Sequence, residues 1–172
     1  MARPKLLVGS LCAGVWLLCP SSATAQESLG VSLTPGSVSF ALSAGSATNA
    51  GSVPVAVTVN WLVLPIRTSI SVYGYFTNAA AGLAHGSPAN PVDIPSSRVE
   101  VSVNGGGYAA FNQTVPFGAA GAGRRLALQA ITLLNLVGQR TDTVQLNINL
   151  SGYTLPADTY SGTLRIRVQA TP

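Results

Sequence analysis

Residues 143–150 read Thr-Val-Gln-Leu-Asn-Ile-Asn-Leu: every second side chain, Val144, Leu146, Ile148 and Leu150, is aliphatic, and every side chain between them is polar. A β-strand turns successive side chains to opposite faces, so this octapeptide has one face for a core and one for water. A helix would scatter the same four aliphatics around its circumference. The period recurs along the chain. Leu29, Val31 and Leu33 share a face ahead of a Pro35-Gly36 turn, and Val38, Phe40 and Leu42 follow it. After a small-residue loop over 43–52 come Val53, Val55, Val57, Val59 and Trp61. Ile70, Val72 and Phe76 then oppose Ser69, Ser71, Tyr73 and Tyr75. Val99, Val101 and Val103 lead into Asn104-Gly105-Gly106-Gly107, residue types that accept positive φ and so mark a hairpin. Leu164, Ile166 and Val168 close the series, opposed by Arg165 and Arg167.

Helical signals are sparse. Residues 124–136 carry Leu126, Leu128, Ile131 and Leu134 at a spacing that fits a helix, yet Leu126, Leu128 and Ala130 also alternate between flanking glycines, and the segment is read as a strand. Residues 77–96, rich in Ala, Gly, Pro and Asn, form a loop longer than the usual connection of about 4–6 residues. Short strands separated by turns, with no βαβ pattern, predict an all-β fold, an antiparallel β-sandwich. Its expected core is Val57, Val59, Trp61, Val101, Leu146, Ile148, Leu164 and Ile166.

The first 25 residues have a different character. Arg3 and Lys5 precede an apolar run from Leu6 to Leu18, and Ala23-Thr24-Ala25 has the A-x-A spacing of a cleavage site. These are the parts of a signal peptide, over 1–25, with 26–172 as a single exported domain. The run is shorter than the roughly 20 residues of a membrane span, which disfavours an uncleaved anchor. Export places the domain in the periplasm, at the cell surface or outside the cell. Cys12 and Cys19, the only cysteines, both precede the cleavage site. Lipidation at Cys19 is the alternative processing route, disfavoured by the bulky Leu18 before it. Without disulfides the exported domain depends on its core, for which 147 residues suffice.

Seven arginines and five carboxylates in 26–172 leave a net charge of +2, with no lysine and with Arg124-Arg125 as the one basic cluster. A nucleic-acid binder would show a basic stripe interleaved with aromatics, so none is expected as a partner. His85 is the only histidine, and no G-x-S-x-G elbow accompanies it. One histidine and five scattered carboxylates do not make a zinc site, and no Asp-rich loop offers calcium a cage. No carboxylate pair is placed for glycoside hydrolysis. Gly105-Gly106-Gly107 lacks the helix and lysine of a phosphate loop and reads as a turn. The sequons at Asn112 and Asn149 read as chance matches. The expectation is therefore a protein without catalysis, metal or cofactor.

Two places carry candidate function. Tyr73 and Tyr75 share the strand face opposite Phe76 and are the candidate ligand-binding strip, as on carbohydrate-binding sandwiches. Leu155-Pro156-Ala157-Asp158-Thr159-Tyr160 precedes the last strand, and its Asp158-x-Tyr160 resembles the tyrosine corner of immunoglobulin-like sandwiches, with Asp158 and Tyr160 in structural roles.

The segment Leu155–Leu164 is also similar to the closing strand of spore coat protein U-type secreted domains, relatives of chaperone–usher pilus subunits, with Asp158 where glycine is commoner. The likeness covers about ten residues, and the exported chain lacks the disulfide many members carry. It implies an immunoglobulin-like sandwich, export through the periplasm and assembly into surface fibres or coats. The functional expectation is a structural or surface-assembly protein that self-associates through strand edges. The alternative is a secreted carbohydrate- or ligand-binding module.

Overall fold

Val57, Val59 and Trp61 lie on one face of a strand and are 2%, 2% and 6% exposed, and the sandwich is organised around them. The computed structural model describes residues 26–172; residues 1–25, with Cys12, Cys19 and the expected cleavage site, lie outside the described residues. Ten strands are described: β1 (Ser28–Thr34), β2 (Val55–Leu62), β3 (Ser69–Tyr75), β4 (Ala84–His85), β5 (Val99–Val103), β6 (Ala109–Ala110), β7 (Gly123–Ala130), β8 (Val137–Ile148), β9 (Tyr160–Ser161) and β10 (Arg165–Thr171). No α-helix occurs among the described residues; one 3-10 turn spans Ser96–Arg98.

One sheet has the order β1-β2-β8-β5-β6 and the other β10-β3-β7, with every pairing antiparallel; β4 and β9 form a separate two-stranded ribbon. The two larger sheets bury a common core, in which Val57, Val59, Val101 and Val144 meet Ile70, Val72 and Ala127. Ile94, Ile148 and Leu150 form a second buried cluster under Phe40, Leu42 and Tyr160. Val57, Val59, Trp61, Val101 and Ile148 of the expected core are buried; Leu146, Leu164 and Ile166 are only partly so.

Four sequence expectations change. The strand read over 124–136 ends at Ala130, and residues 131–136 form a turn that leaves Leu133 and Leu134 exposed. Residues 38–42 are not a strand: their one ladder contact is the bridge from Phe40 to Gly51. The outer edge of β2 is already taken by β1. The segment packs Phe40 and Leu42 sideways onto the second cluster instead. Asn147, expected to face water, is 3% exposed. The segment 47–49 lies across it: the Asn147 side chain donates to the Ala47 carbonyl at 3.1 Å and to Glu100 at 2.8 Å, and accepts from the Asn49 amide at 2.8 Å. These bonds replace the water the group has lost.

Strand β8 begins seven residues before the alternating run starts at Val144, because its inward positions there are not apolar. Gly138, Arg140 and Asp142 stand opposite Trp61, Val59 and Val57. A Cβ at Gly138 would collide with the Trp61 ring, so glycine is required by close approach. Arg140 pairs with Asp142 at 2.8 Å and reaches the Leu128 carbonyl of the opposite sheet at 3.1 Å, with Asn104 also donating to Asp142 at 2.7 Å. A buried carboxylate is tolerable here because it is paired and hydrogen-bonded. The Asn104-Gly105 turn has φ of 52° and 75°, the left-handed conformation that its residue types favour.

Candidate functional site: an open flank and an aromatic–arginine face

The sheets differ in width, and the difference exposes one flank. In β1, Leu29, Val31 and Leu33 stand opposite Trp61, Val59 and Val57, so they point to the inner side of the five-stranded sheet. Yet each is 38% exposed. The three-stranded sheet ends at β10, which is bonded to β3 on one side and to no strand on the other among the described residues. Nothing in the narrower sheet fully covers the inner face of β1.

Where β1 ends and β10 begins, the flank opens into a cleft of about 730 Å³. Its walls include Leu33 and Val57 from the wider sheet, Leu146 from β8, and Leu164 and Ile166 at the start of β10, with residues 35–42 and 158–163 at its rim. Leu146, Leu164 and Ile166 are the three expected core residues that remain partly exposed. They are built as core but face unfilled space. The start of β1 is fixed: Glu27 binds Arg67 through Oε2 at 2.6 Å and accepts from the Leu64 amide at 3.0 Å. The Arg67 guanidinium, followed by that amide, holds the Glu27 carboxyl down at about 2.

The rim beside β9 is cross-braced. The Tyr160 hydroxyl donates to the Pro156 carbonyl, four residues upstream, at 2.9 Å and accepts from the Asn90 side chain at 2.9 Å. Asn90 also donates to Asp158 at 3.0 Å, and Asp158 accepts from the Ser87 amide at 3.0 Å. These donors, the Ser87 amide first, lower the Asp158 carboxyl below its ordinary value. Tyr160 and Asp158 thus tie the loop of residues 86–90 to the segment before β10. His85 lies in the same ribbon, its Nδ1 2.6 Å from Asp93. The Asp93 carboxylate also accepts from the His85 amide at 3.0 Å, and its backbone carbonyl accepts from the Tyr153 hydroxyl at 2.6 Å. The His85–Asp93 bonds brace the loop of residues 83–94, and the Tyr153 hydroxyl ties that loop to the segment after β8.

Tyr73 and Tyr75 lie elsewhere, on the outer face of the narrow sheet. They are half-buried rather than open, because Phe117 lies over them with ring centroids 5.9 Å from each. A Cβ at Gly118 would strike the Tyr75 ring, so the loop is pressed against the strand. The register sets Arg167 and Arg125 on either side of Tyr73, and Arg165 beside Tyr75. Arg167 stacks its guanidinium 4.8 Å from the Phe117 centroid. Sequence reading found the two tyrosines but not Phe117 or the arginines, which come from segments distant in the chain. The alternation that sets Arg165 and Arg167 opposite the core side of the last strand, and the adjacent Arg124-Arg125, are the sequence signals for them.

Among the described residues no group of three or more His, Cys, Asp or Glu side chains is placed to hold a metal, and no helix is long and apolar enough to cross a membrane. Comparison of the chain with protein-family models, with curated proteins and with solved structures finds no match.

Proposed function

We propose that the chain is an exported structural subunit that assembles with copies of itself by strand addition, in a role that is structural rather than catalytic. One observation carries this reading: an edge strand, β10, borders a cleft whose walls are core-type side chains without a covering layer. An unpaired strand edge is a row of free backbone donors and acceptors, a template for another strand. A segment from a neighbouring copy that pairs with β10 would satisfy that row. Its alternate side chains would enter the cleft against Leu146, Leu164 and Ile166. Main-chain bonds would supply affinity, and the cleft would select the side chains that fit.

The order β1-β2-β8-β5 against β10-β3, and the Tyr160 back-bond to Pro156, support an immunoglobulin-like ancestry for this sandwich. The leader supports export. The resemblance of residues 155–164 to coat and pilus domains points the same way as the open flank. Sedimentation velocity of the exported protein across a concentration series tests the reading. Association that rises with concentration, and that Ile166→Asp abolishes while a folded monomer remains, supports it. A strict monomer at all concentrations overturns it.

A further inference from the structure

The geometry points to a second surface, independent of the open flank: the outer face of β10-β3-β7 is a binding face for an acidic polysaccharide, with Arg125, Arg165 and Arg167 for its carboxylates. Charge on this protein is segregated. Glu27, Asp93 and Asp142 are committed to Arg67, His85 and Arg140. Glu100 accepts from Asn147 and Asn149, and Asp158 from Ser87 and Asn90. Arg125, Arg165 and Arg167 are all exposed, and none has a carboxylate or hydrogen-bond partner among the described residues. They converge on the face that holds Tyr73, Tyr75 and Phe117.

Arg125 reaches that face through a local irregularity. Val72 pairs with Ala127 but Tyr73 pairs with Arg125, so Leu126 is an extra residue in β7. By simple alternation Arg125 would share the inward side of Ala127. The bulge turns it outward, beside Tyr73, and re-aiming a side chain is what such bulges do. Next to it a shallow pocket of about 370 Å³ is bounded by Tyr73, Arg124 and Arg125 on one side and by residues 113–116 on the other. Guanidinium groups bind carboxylates through two parallel hydrogen bonds.

The spacing favours a sparsely charged polymer. Arg167 and Arg125 lie two strand intervals apart across Tyr73, about 10 Å. Duplex nucleic acid carries a phosphate about every 3.4 Å of each strand and is met by a dense basic stripe, not three arginines. Single-stranded bases need open ring faces, and Phe117 covers both tyrosines. Strand addition at the β10 edge leaves this face free, so an assembly would present it many times and gain avidity.

The test is affinity electrophoresis of the exported protein through hyaluronate, whose carboxylates fall on alternate sugars, and through dextran and single-stranded DNA, in low and moderate salt. The expected result is retardation by hyaluronate alone, weakened by salt and reduced at least tenfold in affinity in Arg125→Gln/Arg167→Gln. Arg67→Gln/Arg98→Gln, which changes the net charge equally, distinguishes the face from overall charge and should leave most of the retardation. Circular dichroism confirms that each variant is folded. Equal retardation by dextran, stronger retardation by DNA, no retardation by any polymer, or equal loss in the two double variants would each overturn the assignment.

Discussion

Val31 in β1 stands directly opposite Val59 in β2, on the same side of the same sheet, yet Val59 is 2% exposed and Val31 is 38% exposed. The two valines differ in what lies beside and beneath them: β1 is an edge strand and β2 lies between β1 and β8. Val59 has the narrow sheet under it and Val31 has the open flank. Val59→Ala should therefore cost the monomer about 1–3 kcal/mol, and Val31→Ala less than about 0.5 kcal/mol. Urea denaturation of the two variants at a concentration where the protein is monomeric checks the difference. Equal losses would mean that β1 is covered.

Tyr160→Phe should cost about 1 kcal/mol, because it removes the donor to Pro156 and an acceptor of Asn90. Asn90 keeps Asp158 as a partner, which limits the loss. Tyr160→Ala should cost more, since the ring packs on the cluster of Ile94, Ile148 and Leu150. Chemical denaturation measures both. A Phe variant as stable as the parent would show that the hydroxyl bonds contribute nothing net.

Stability should fall in acid in a defined window. The Glu27 carboxyl is held at about 2 in the folded chain against an ordinary 4.5, and those of Asp93 and Asp158 are also lowered. A depressed folded value means that the unfolded chain binds the proton first. The stabilisation is thus complete above about 4.5 and is lost as the pH falls towards about 2. Denaturation midpoints measured across that range should decline, and Glu27→Gln should make the decline shallower. An unchanged slope in the variant would remove Glu27 from the account.

The Trp61 ring lies against Gly138, so Gly138→Ala should force the indole from its place and cost about 1–3 kcal/mol. The indole nitrogen donates to the Asn135 carbonyl at 2.8 Å, so the same change should weaken the turn of residues 132–135. Trp fluorescence and thermal unfolding report the two effects. An unshifted emission spectrum at parental stability would contradict the packing.

Much of the sandwich is legible in the sequence because alternation is local: β2, β3, β5, the second half of β8 and β10 each declare their inner face within about eight residues. The first half of β8 does not, because Gly138, Arg140 and Asp142 occupy inward positions for reasons supplied by Trp61 and the opposite sheet. The segment 38–42 has the pattern of a strand yet makes one bridge instead of a ladder, and pattern alone cannot show that. Strands β4, β6 and β9 have two residues each, too short for any period. Tyr73 and Tyr75 were visible as a strip; the arginines beside them were not, since the register that joins Arg125, Tyr73 and Arg167 spans about a hundred residues and includes a bulge. The open flank was the least legible feature. Leu146, Leu164 and Ile166 have the pattern of core whether or not a layer covers them.

The central claim is that β10 receives a strand from another copy, and hydrogen–deuterium exchange on residues 164–171, followed as the concentration of residues 26–172 rises, tests it most directly. As association proceeds, amides of β10 that point away from β3 should become protected, together with the cleft wall at Leu164 and Ile166, while the exchange of β5 stays unchanged. Association that leaves the exchange of residues 164–171 as it is in the monomer would contradict the account, because the copies would then be joined through some other surface.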